Sequence, residues 1–281
     1  MPELPEVETI KLGLQKYLVG HRIESVDVRL KKLVSGDVDQ IIGAKIIDIK
    51  RFGKGLVFEL DNGYVMAIHI KMTGQLIYSG ADSQKIFHPS QKVGGELPNK
   101  FTHVIFHLDK KTFLFYNDIR QFGWIKILKN ENLKQLPFFK DLGPEPLKDL
   151  TLEQFEKIVG AAKGPIKPLL MDQKKISGIG NIYANEALFE AKIDPRRKAN
   201  SLTETETKKL FSAIEFVLEK SLSMGGASET NFVNALGEDG SYQKHFLVYG
   251  QKGKSCPVCG TKIEMIRQAG RGTFFCPKCQ K

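Results

Sequence analysis

The chain has 281 residues, of which 41% are hydrophobic and 26% charged, and it carries a formal net charge of +10. That length can bury a good core and divides most naturally into two domains, and the composition is that of an ordinary globular protein. No run approaches the ~20 apolar residues of a membrane span, and Glu3, Glu6 and Glu8 stand where a signal peptide would be basic and then apolar, so a soluble, intracellular protein is expected.

Residues 5–19 are predicted to form a helix. Val7, Ile10, Leu14 and Leu18 recur at helical spacing, Pro5 suits a first-turn position and Gly20 can end the element. The next hundred residues read as β. In "LVFELDNGYVMAIHI" two apolar runs flank Asp61-Asn62-Gly63, a tight-turn signal, and "FTHVIFHLDKKTFLFY" alternates, turns near Asp109-Lys110 and resumes. These elements make an N-terminal helix followed by an antiparallel sandwich or barrel.

The stretch "LPFFKDLGPEPLKDL", with three prolines, reads as a linker, and the pattern then becomes helical. A helix opens at Thr151-Leu152-Glu153, and Thr203 with Glu206 has capping-box spacing before Leu210, Ile214, Val217 and Leu218. Between them, "PLLMDQKKISGIGNIYANEALF" reads as a short helix, a Gly178-Ile179-Gly180 turn and a second helix from Asn181. Free N–H groups at such a helix start can hold a phosphate, although a plain helix connection explains the glycines equally well. The glycine-rich "SMGGASETNFVNALGEDG" reads as a mobile loop. The segments are therefore 1–135, 136–240 and 241–281.

The last segment is a cysteine module. Cys256, Cys259, Cys276 and Cys279 form two Cys-x2-Cys knuckles separated by sixteen residues, the pattern of one tetrahedral zinc. Two disulfides are the alternative, disfavoured in a reducing compartment. Four sulfur ligands leave no open position, so the Zn2+ is structural and the chemistry lies elsewhere. From Gln251 to Lys281 there are seven Lys or Arg against one acid, Glu264. A basic tail of this kind points to a polyanion, nucleic acid ahead of an acidic membrane, with a solubilising surface as the plain alternative. Arg267 and Arg271 lie between the knuckles on a predicted hairpin.

Seven stretches, "PELPEVET", "RFGKGL", "HIKMTGQL", "NDIRQFG", "ISGIGNIYANEALF", "VYGQKGKSCPVCG" and "GRGTFFCPKCQ", occur in an order that resembles the formamidopyrimidine-DNA glycosylase and endonuclease VIII family, and most closely its formamidopyrimidine-DNA glycosylase branch. The resemblance implies an α+β multidomain fold: an N-terminal helix plus antiparallel β-sandwich, a helical domain with a helix-two-turn-helix motif, and a C-terminal zinc finger. It implies a bacterial, cytoplasmic, monomeric enzyme on duplex DNA carrying oxidised bases or abasic sites.

By the same resemblance Met1 is removed and the secondary amine of Pro2 is the nucleophile. An α-amino group titrates near ~8, so part of it is unprotonated at neutral pH, whereas a lysine near ~10.4 would need a large shift. Glu3 is implied as the carboxylate that handles protons, Glu6 as a support for that end of the helix, and Lys54 as the lysine beside lesion and phosphate. Met72, Arg120 and Phe122 match residues that enter the duplex when a nucleotide is extruded, Arg120 pairing with the widowed base. Asn181 and Arg271 match a phosphate-binding pair. Lys167 is a further candidate near the lesion and His103 a further DNA-binding candidate.

The chain also departs from the family pattern. Gln121 stands where a second basic residue is common in "RQFG", and Glu229 and Thr230 occupy the loop that in many members carries an arginine over the extruded purine. The alternatives are an endonuclease VIII-like enzyme for oxidised pyrimidines and a non-enzymatic zinc-finger DNA-binding protein. The latter would need neither Pro2 nor Glu3.

Overall fold

Val7, Ile10, Leu14 and Leu18 do lie along one buried stripe, that of α1 (Leu4–Leu18), in the computed structural model, which describes residues 1–80 and 90–281. The strands that follow are β1 (Ile23–Val28), β2 (Val34–Ser35), β3 (Ile46–Phe52), β4 (Gly55–Leu60), β5 (Tyr64–His69), β6 (Gly74–Ser79), β7 (Thr102–Leu108), β8 (Thr112–Asp118) and β9 (Trp124–Lys129), and a short α2 (Pro137–Lys140) closes the run. Among the described residues they form a four-stranded sheet ordered β1-β7-β8-β6 and a five-stranded sheet ordered β2-β9-β5-β4-β3. Asp61-Asn62-Gly63 makes the β4–β5 turn, with Gly63 at φ +81°.

The core lies between the two sheets. Leu76, Val104, Phe106 and Tyr116 of one sheet meet Ile49, Phe58, Met66, Ile68 and Ile125 of the other, and the apolar face of α1 joins them. The outer face of β4 and β5 is covered as well: Val57, Val65 and Ala67 pack with Leu133, Phe139 and Trp124. Burial on both faces explains why these two strands read as near-continuous apolar runs rather than as an alternation. In one detail the sandwich is not antiparallel as expected, because the two-residue β2 runs parallel to β9.

The chain divides into two compact units, Met1–Lys140 with Met224–Gln243, and Asp141–Ser223 with Lys244–Lys281. The glycine-rich stretch expected to be a mobile loop thus belongs to the sandwich unit. Phe232 and Ala235 enter the sandwich core, and the Ala235 carbonyl accepts from the Tyr78 N–H at 2.8 Å.

The second unit contains α3 (Leu152–Ala161), α4 (Ile166–Leu170), α5 (Asn181–Glu190), α6 (Glu204–Ser223) and the hairpin β10 (Glu264–Gln268) and β11 (Arg271–Phe275). Thr151 and Gln154 form a capping box on α3. The Thr203 hydroxyl accepts from the Glu206 N–H, and Glu206 returns a carboxylate oxygen to the Thr203 N–H at 2.8 Å. No helix among the described residues is long and apolar enough to cross a membrane.

Candidate functional site

Pro2 and Glu3 are both buried, and Glu3 is the residue from which α1 starts. The Glu6 carboxylate, 1% exposed, organises this end of the chain. Its Oε2 accepts from the Glu3 N–H at 2.8 Å and its Oε1 accepts from the Ala227 N–H at 2.8 Å. Gly226, just before Ala227, has φ +81°, and a Cβ there would stand 3.1 Å from Glu6 Oε1. One carboxylate therefore holds the start of α1 against the 224–241 segment.

That segment is tied at several points. Lys92 Nζ donates to the Ser228 carbonyl at 2.6 Å, Gln75 Nε2 to the Asn231 carbonyl at 2.9 Å, and the Ser228 hydroxyl to the Phe232 carbonyl at 2.9 Å while accepting from the Gly240 N–H. Side-chain partners satisfy the backbone where no sheet or helix does, which is why an irregular segment can be buried at all. Glu229 and Thr230, between Ser228 and Asn231, are exposed, as is Asp239.

The "RFGKGL" stretch is the turn between β3 and β4. Arg51 Nε donates to Glu8 Oε2 at 2.7 Å and its Nη1 to the Gly53 carbonyl at 2.9 Å, so the turn is anchored to α1. Burial pushes the Glu8 carboxyl up, but hydrogen bonds from Lys11 and Arg51 outweigh it and hold the group below its usual range. Lys54 on this turn is only 5% exposed. Its charge reaches His69, which burial above all, then Lys71 and Lys54, pushes down to about 3. His69 is thus neutral, and its Nδ1 accepts from the Lys71 N–H at 2.9 Å.

Met72, Arg120 and Phe122 come together on the same unit. Arg120 Nη1 lies 2.9 Å from Met72 Sδ, and the guanidinium sits over the Phe122 ring at 4.7 Å. Met72 is 38% and Phe122 57% exposed, so both side chains are open to solvent at this end of the sandwich. His103 is placed differently. It is buried, and its Nε2 lies 2.8 Å from the Asp118 carbonyl, so it braces the end of β8 from inside.

In the second unit Asn181 opens α5 after Gly180. Gln173 secures the glycine turn, accepting from the Gly178 N–H at 3.0 Å and donating to the Ile179 carbonyl at 2.7 Å. Asn185, one turn into α5, donates to the Asn181 carbonyl at 2.6 Å and accepts from the Phe274 N–H at 2.7 Å. It links the start of α5 to β11, the strand that begins at Arg271. Lys167, a lesion-side candidate by sequence, is 1% exposed. Its Nζ donates to the Gly272 carbonyl at 2.8 Å and the Thr273 hydroxyl at 2.7 Å, so it too holds β11. Arg271 itself is exposed. Asn185 and Gln173 escaped the sequence reading, since one polar residue inside an apolar helix and one on a loop carry no distinctive spacing.

The four cysteine sulfurs lie within 4.8 Å of one another, with Cys256–Cys279 at 3.8 Å and Cys259–Cys276 at 3.5 Å. Zinc–sulfur bonds of ~2.3 Å in a tetrahedron put sulfurs about 3.8 Å apart, whereas a disulfide would need about 2.05 Å. The donor set fits one Zn2+. The knuckle backbone supports it, the Cys279 N–H pointing at Cys276 Sγ at 3.4 Å and Gln280 Oε1 accepting from the Cys276 N–H at 2.8 Å. A core of Phe189, Val248, Ile263, Cys256 and Cys276 underlies the module.

Glu186 closes the arrangement. This buried carboxylate accepts the N–H groups of Leu247, Val248 and Tyr249 at 2.9, 3.0 and 2.8 Å, clamping the irregular segment that leads into the cysteine module. Burial raises its carboxyl above the usual range despite these donors.

Three family models match the chain in succession: the formamidopyrimidine-DNA glycosylase N-terminal domain over residues 1–125, the formamidopyrimidine-DNA glycosylase H2TH domain over 142–233, and the zinc finger found in FPG and IleRS over 253–281. The formamidopyrimidine-DNA glycosylase of Pelotomaculum thermopropionicum is 40% identical, covering 100% of this chain and 99% of its own. Among solved structures, a variant of Lactococcus lactis FPG in complex with a Fapy-dG containing DNA superposes with a TM-score of 0.88 at 32% identity over 100% of both chains. MutM in complex with carbocyclic 8-oxo-G containing DNA gives 0.86 at 33% identity, again over 100% of both.

Proposed function

Because the chain belongs to the formamidopyrimidine-DNA glycosylase family, we propose that it excises oxidised purines from duplex DNA and cleaves the strand through a covalent intermediate on Pro2. The observation that carries this reading is the placement of Pro2 and Glu3, buried at the start of α1 and locked there by Glu6, in a chain that matches its relatives from end to end. Fapy-dG and 8-oxo-G in the DNA bound by the two solved relatives support the purine class.

In the unprocessed chain the Pro2 nitrogen is an amide, whose lone pair is delocalised into the carbonyl. Removal of Met1 frees a secondary amine. The amine attacks the sugar C1′, the glycosidic bond breaks, and the base leaves with the bonding pair and takes up a proton. The nitrogen loses its proton and its lone pair expels the ring oxygen, so the C1′–O4′ bond breaks, O4′ takes a proton from Glu3 and an iminium forms at C1′. The resulting iminium draws electrons from C2′ once a proton leaves there, and the C3′–O bond breaks with loss of the 3′ phosphate. A second elimination releases the 5′ phosphate, leaving phosphates on both sides of the gap.

Lys54 neutralises the reacting backbone, and Met72, Arg120 and Phe122 fill the space left by the extruded nucleotide. Asn181 and Arg271 bind backbone phosphate, and Zn2+ on the four cysteines folds the hairpin that presents Arg271. Lys167 and His103 serve binding from inside, through β11 and β8. Functionally we divide the chain at 1–135, 136–240 and 241–281, while the stretch Met224–Gln243 packs with the sandwich unit. It acts as a monomer on chromosomal DNA in a bacterial cytoplasm; the relative from Pelotomaculum thermopropionicum is bacterial.

The test uses purified protein and duplexes carrying 8-oxoguanine, a formamidopyrimidine, thymine glycol or an abasic site. Borohydride should crosslink the first mature residue, Pro2, to the purine-lesion duplexes, with phosphate at both product ends. A crosslink mapped to Lys54, or faster cleavage of thymine glycol than of both purine lesions, would overturn the reading.

A further inference from the structure

The segment that carries Arg120 and Phe122 is wrapped around one carboxylate. Asp118, the last residue of β8, is completely buried. Its Oδ1 accepts from the Thr73 hydroxyl at 2.5 Å and from the Arg120 N–H at 3.2 Å, and its Oδ2 accepts from the Gly123 N–H at 2.8 Å. The Thr73 oxygen in turn accepts from the Arg120 N–H at 2.9 Å. The backbone of Asp118 is held too: its N–H donates to the Phe101 carbonyl, and its carbonyl meets His103 Nε2 at 2.8 Å and the Gln121 N–H at 3.3 Å.

Two further features make this turn a single geometry. Gln121 lies in the left-handed region at φ +57°. A Cβ on Gly123 would fall 1.8 Å from the Tyr116 hydroxyl oxygen and 2.9 Å from the His69 carbonyl, so only glycine fits there. Thr73 follows Met72 directly, and so the same carboxylate fastens both pieces of chain that supply Met72, Arg120 and Phe122.

We propose that Asp118 and Thr73 are positioning residues for opposite-base discrimination: the Asp118 carboxylate, through the Thr73 hydroxyl, sets the distance between the Met72 and Arg120 segments. The proposal rests on the reading that these three side chains fill the gap. Preorganisation matters here because exposed arginine and methionine side chains are rich in rotamers, and a wedge that must also order its backbone on each encounter loses binding free energy in doing so. A carboxylate accepts at two oxygens at once. An asparagine offers one carbonyl oxygen and turns an NH2 group toward an N–H donor, so the turn loses one of its two anchors.

The experiment measures single-turnover excision of 8-oxoguanine opposite cytosine and opposite adenine, with 2-aminopurine in place of the opposite base as a fluorescent report of insertion. Asp118→Asn should lower excision opposite cytosine by about ten-fold, the scale of a lost hydrogen bond to a charged group. It should also compress the cytosine-to-adenine ratio and weaken the 2-aminopurine signal, with a smaller loss at a preformed abasic site. Thr73→Val keeps the shape and removes the hydroxyl. It should reproduce these changes in a folded protein, and Thr73→Ser should restore them. Arg120→Ala is run alongside. If it abolishes the preference while Thr73→Val leaves ratio and fluorescence at the wild-type values, the positioning role is wrong. If Arg120→Ala itself leaves the preference unchanged, the gap-filling reading has failed instead. Equal losses on every substrate, abasic site included, would show Asp118 and Thr73 to be framework only and would also overturn the proposal.

Discussion

Arg120 donates through Nη1 toward the sulfur of Met72, 2.9 Å away, while its guanidinium covers the ring of Phe122. An exposed cation–π contact contributes about 0.5–1 kcal/mol, enough to favour one arrangement without locking the side chains. The three groups are thus held together by contacts within the chain. A guanidinium has five donors and no acceptor, so it suits the acceptor edge of cytosine better than that of adenine.

Arg120→Ala should therefore lower excision opposite cytosine and narrow the cytosine-to-adenine preference, with reaction at a preformed abasic site less affected. An arginine that only bound a phosphate would weaken every duplex alike and reduce the salt slope by about one unit. Single-turnover rates opposite all four bases separate the two outcomes.

Lys167 should act through β11. Replacing it with methionine removes the donor to the half-buried Gly272 carbonyl and to the buried Thr273 hydroxyl, and the lost partner at Thr273 costs about 1–3 kcal/mol. DNA affinity should fall and the thermal midpoint of the zinc-containing unit should fall with it. A direct contact with DNA predicts lost affinity at an unchanged midpoint, which calorimetry with parallel binding titrations would detect.

One zinc per chain is expected by elemental analysis, and Cys259→Ser should lower zinc content, DNA affinity and excision together. The reason is that β10 and β11 form an isolated two-stranded hairpin, which has little stability without the metal-bound knuckles. Full DNA affinity after chelation would contradict the role given to the metal.

His69 should make the sandwich unit acid-sensitive. Its folded pKa of about 3 lies below its ordinary value of 6.5. Between these pH values the unfolded chain takes up a proton and the folded chain does not. Its contribution is complete above about pH 6.5 and falls as the pH drops toward 3, with a slope of at most about 1.4 kcal/mol per pH unit. Urea midpoints from pH 4 to 7.5 should show a shallower fall for His69→Asn than for the wild type, and parallel curves would exclude His69 as the cause.

Much of this molecule is legible along the chain, because the interactions concerned are local. The stripe of Val7, Ile10, Leu14 and Leu18, the Asp61-Asn62-Gly63 turn, the Thr203–Glu206 box and the paired cysteines each act across a few residues, so spacing alone reveals them. The candidate residues Pro2 and Glu3, Met72, Arg120 and Phe122, and Asn181 and Arg271 came from matched motifs. Periodicity and composition would have left Met72 and Phe122 as strand-end packing.

What a buried polar group bonds to was decided only in three dimensions. Glu6 reaches Ala227 across 221 positions and Lys167 reaches Gly272 across 105. In a chain with 42 Lys and Arg, no pattern marks one ammonium as internal. Asp118 carries a faint local sign, since aspartate often caps the turn that follows it, but its hold on Thr73 depends on β6 pairing with β8, which sets Gly74 opposite Asp118. The 224–241 segment likewise looks mobile by composition and is held in place by partners far from it in sequence. Sequence spacing records helices, turns and metal knuckles because each is closed by neighbours. The partner of a buried carboxylate or ammonium is whichever group packing brings within reach, and packing is a property of the whole fold.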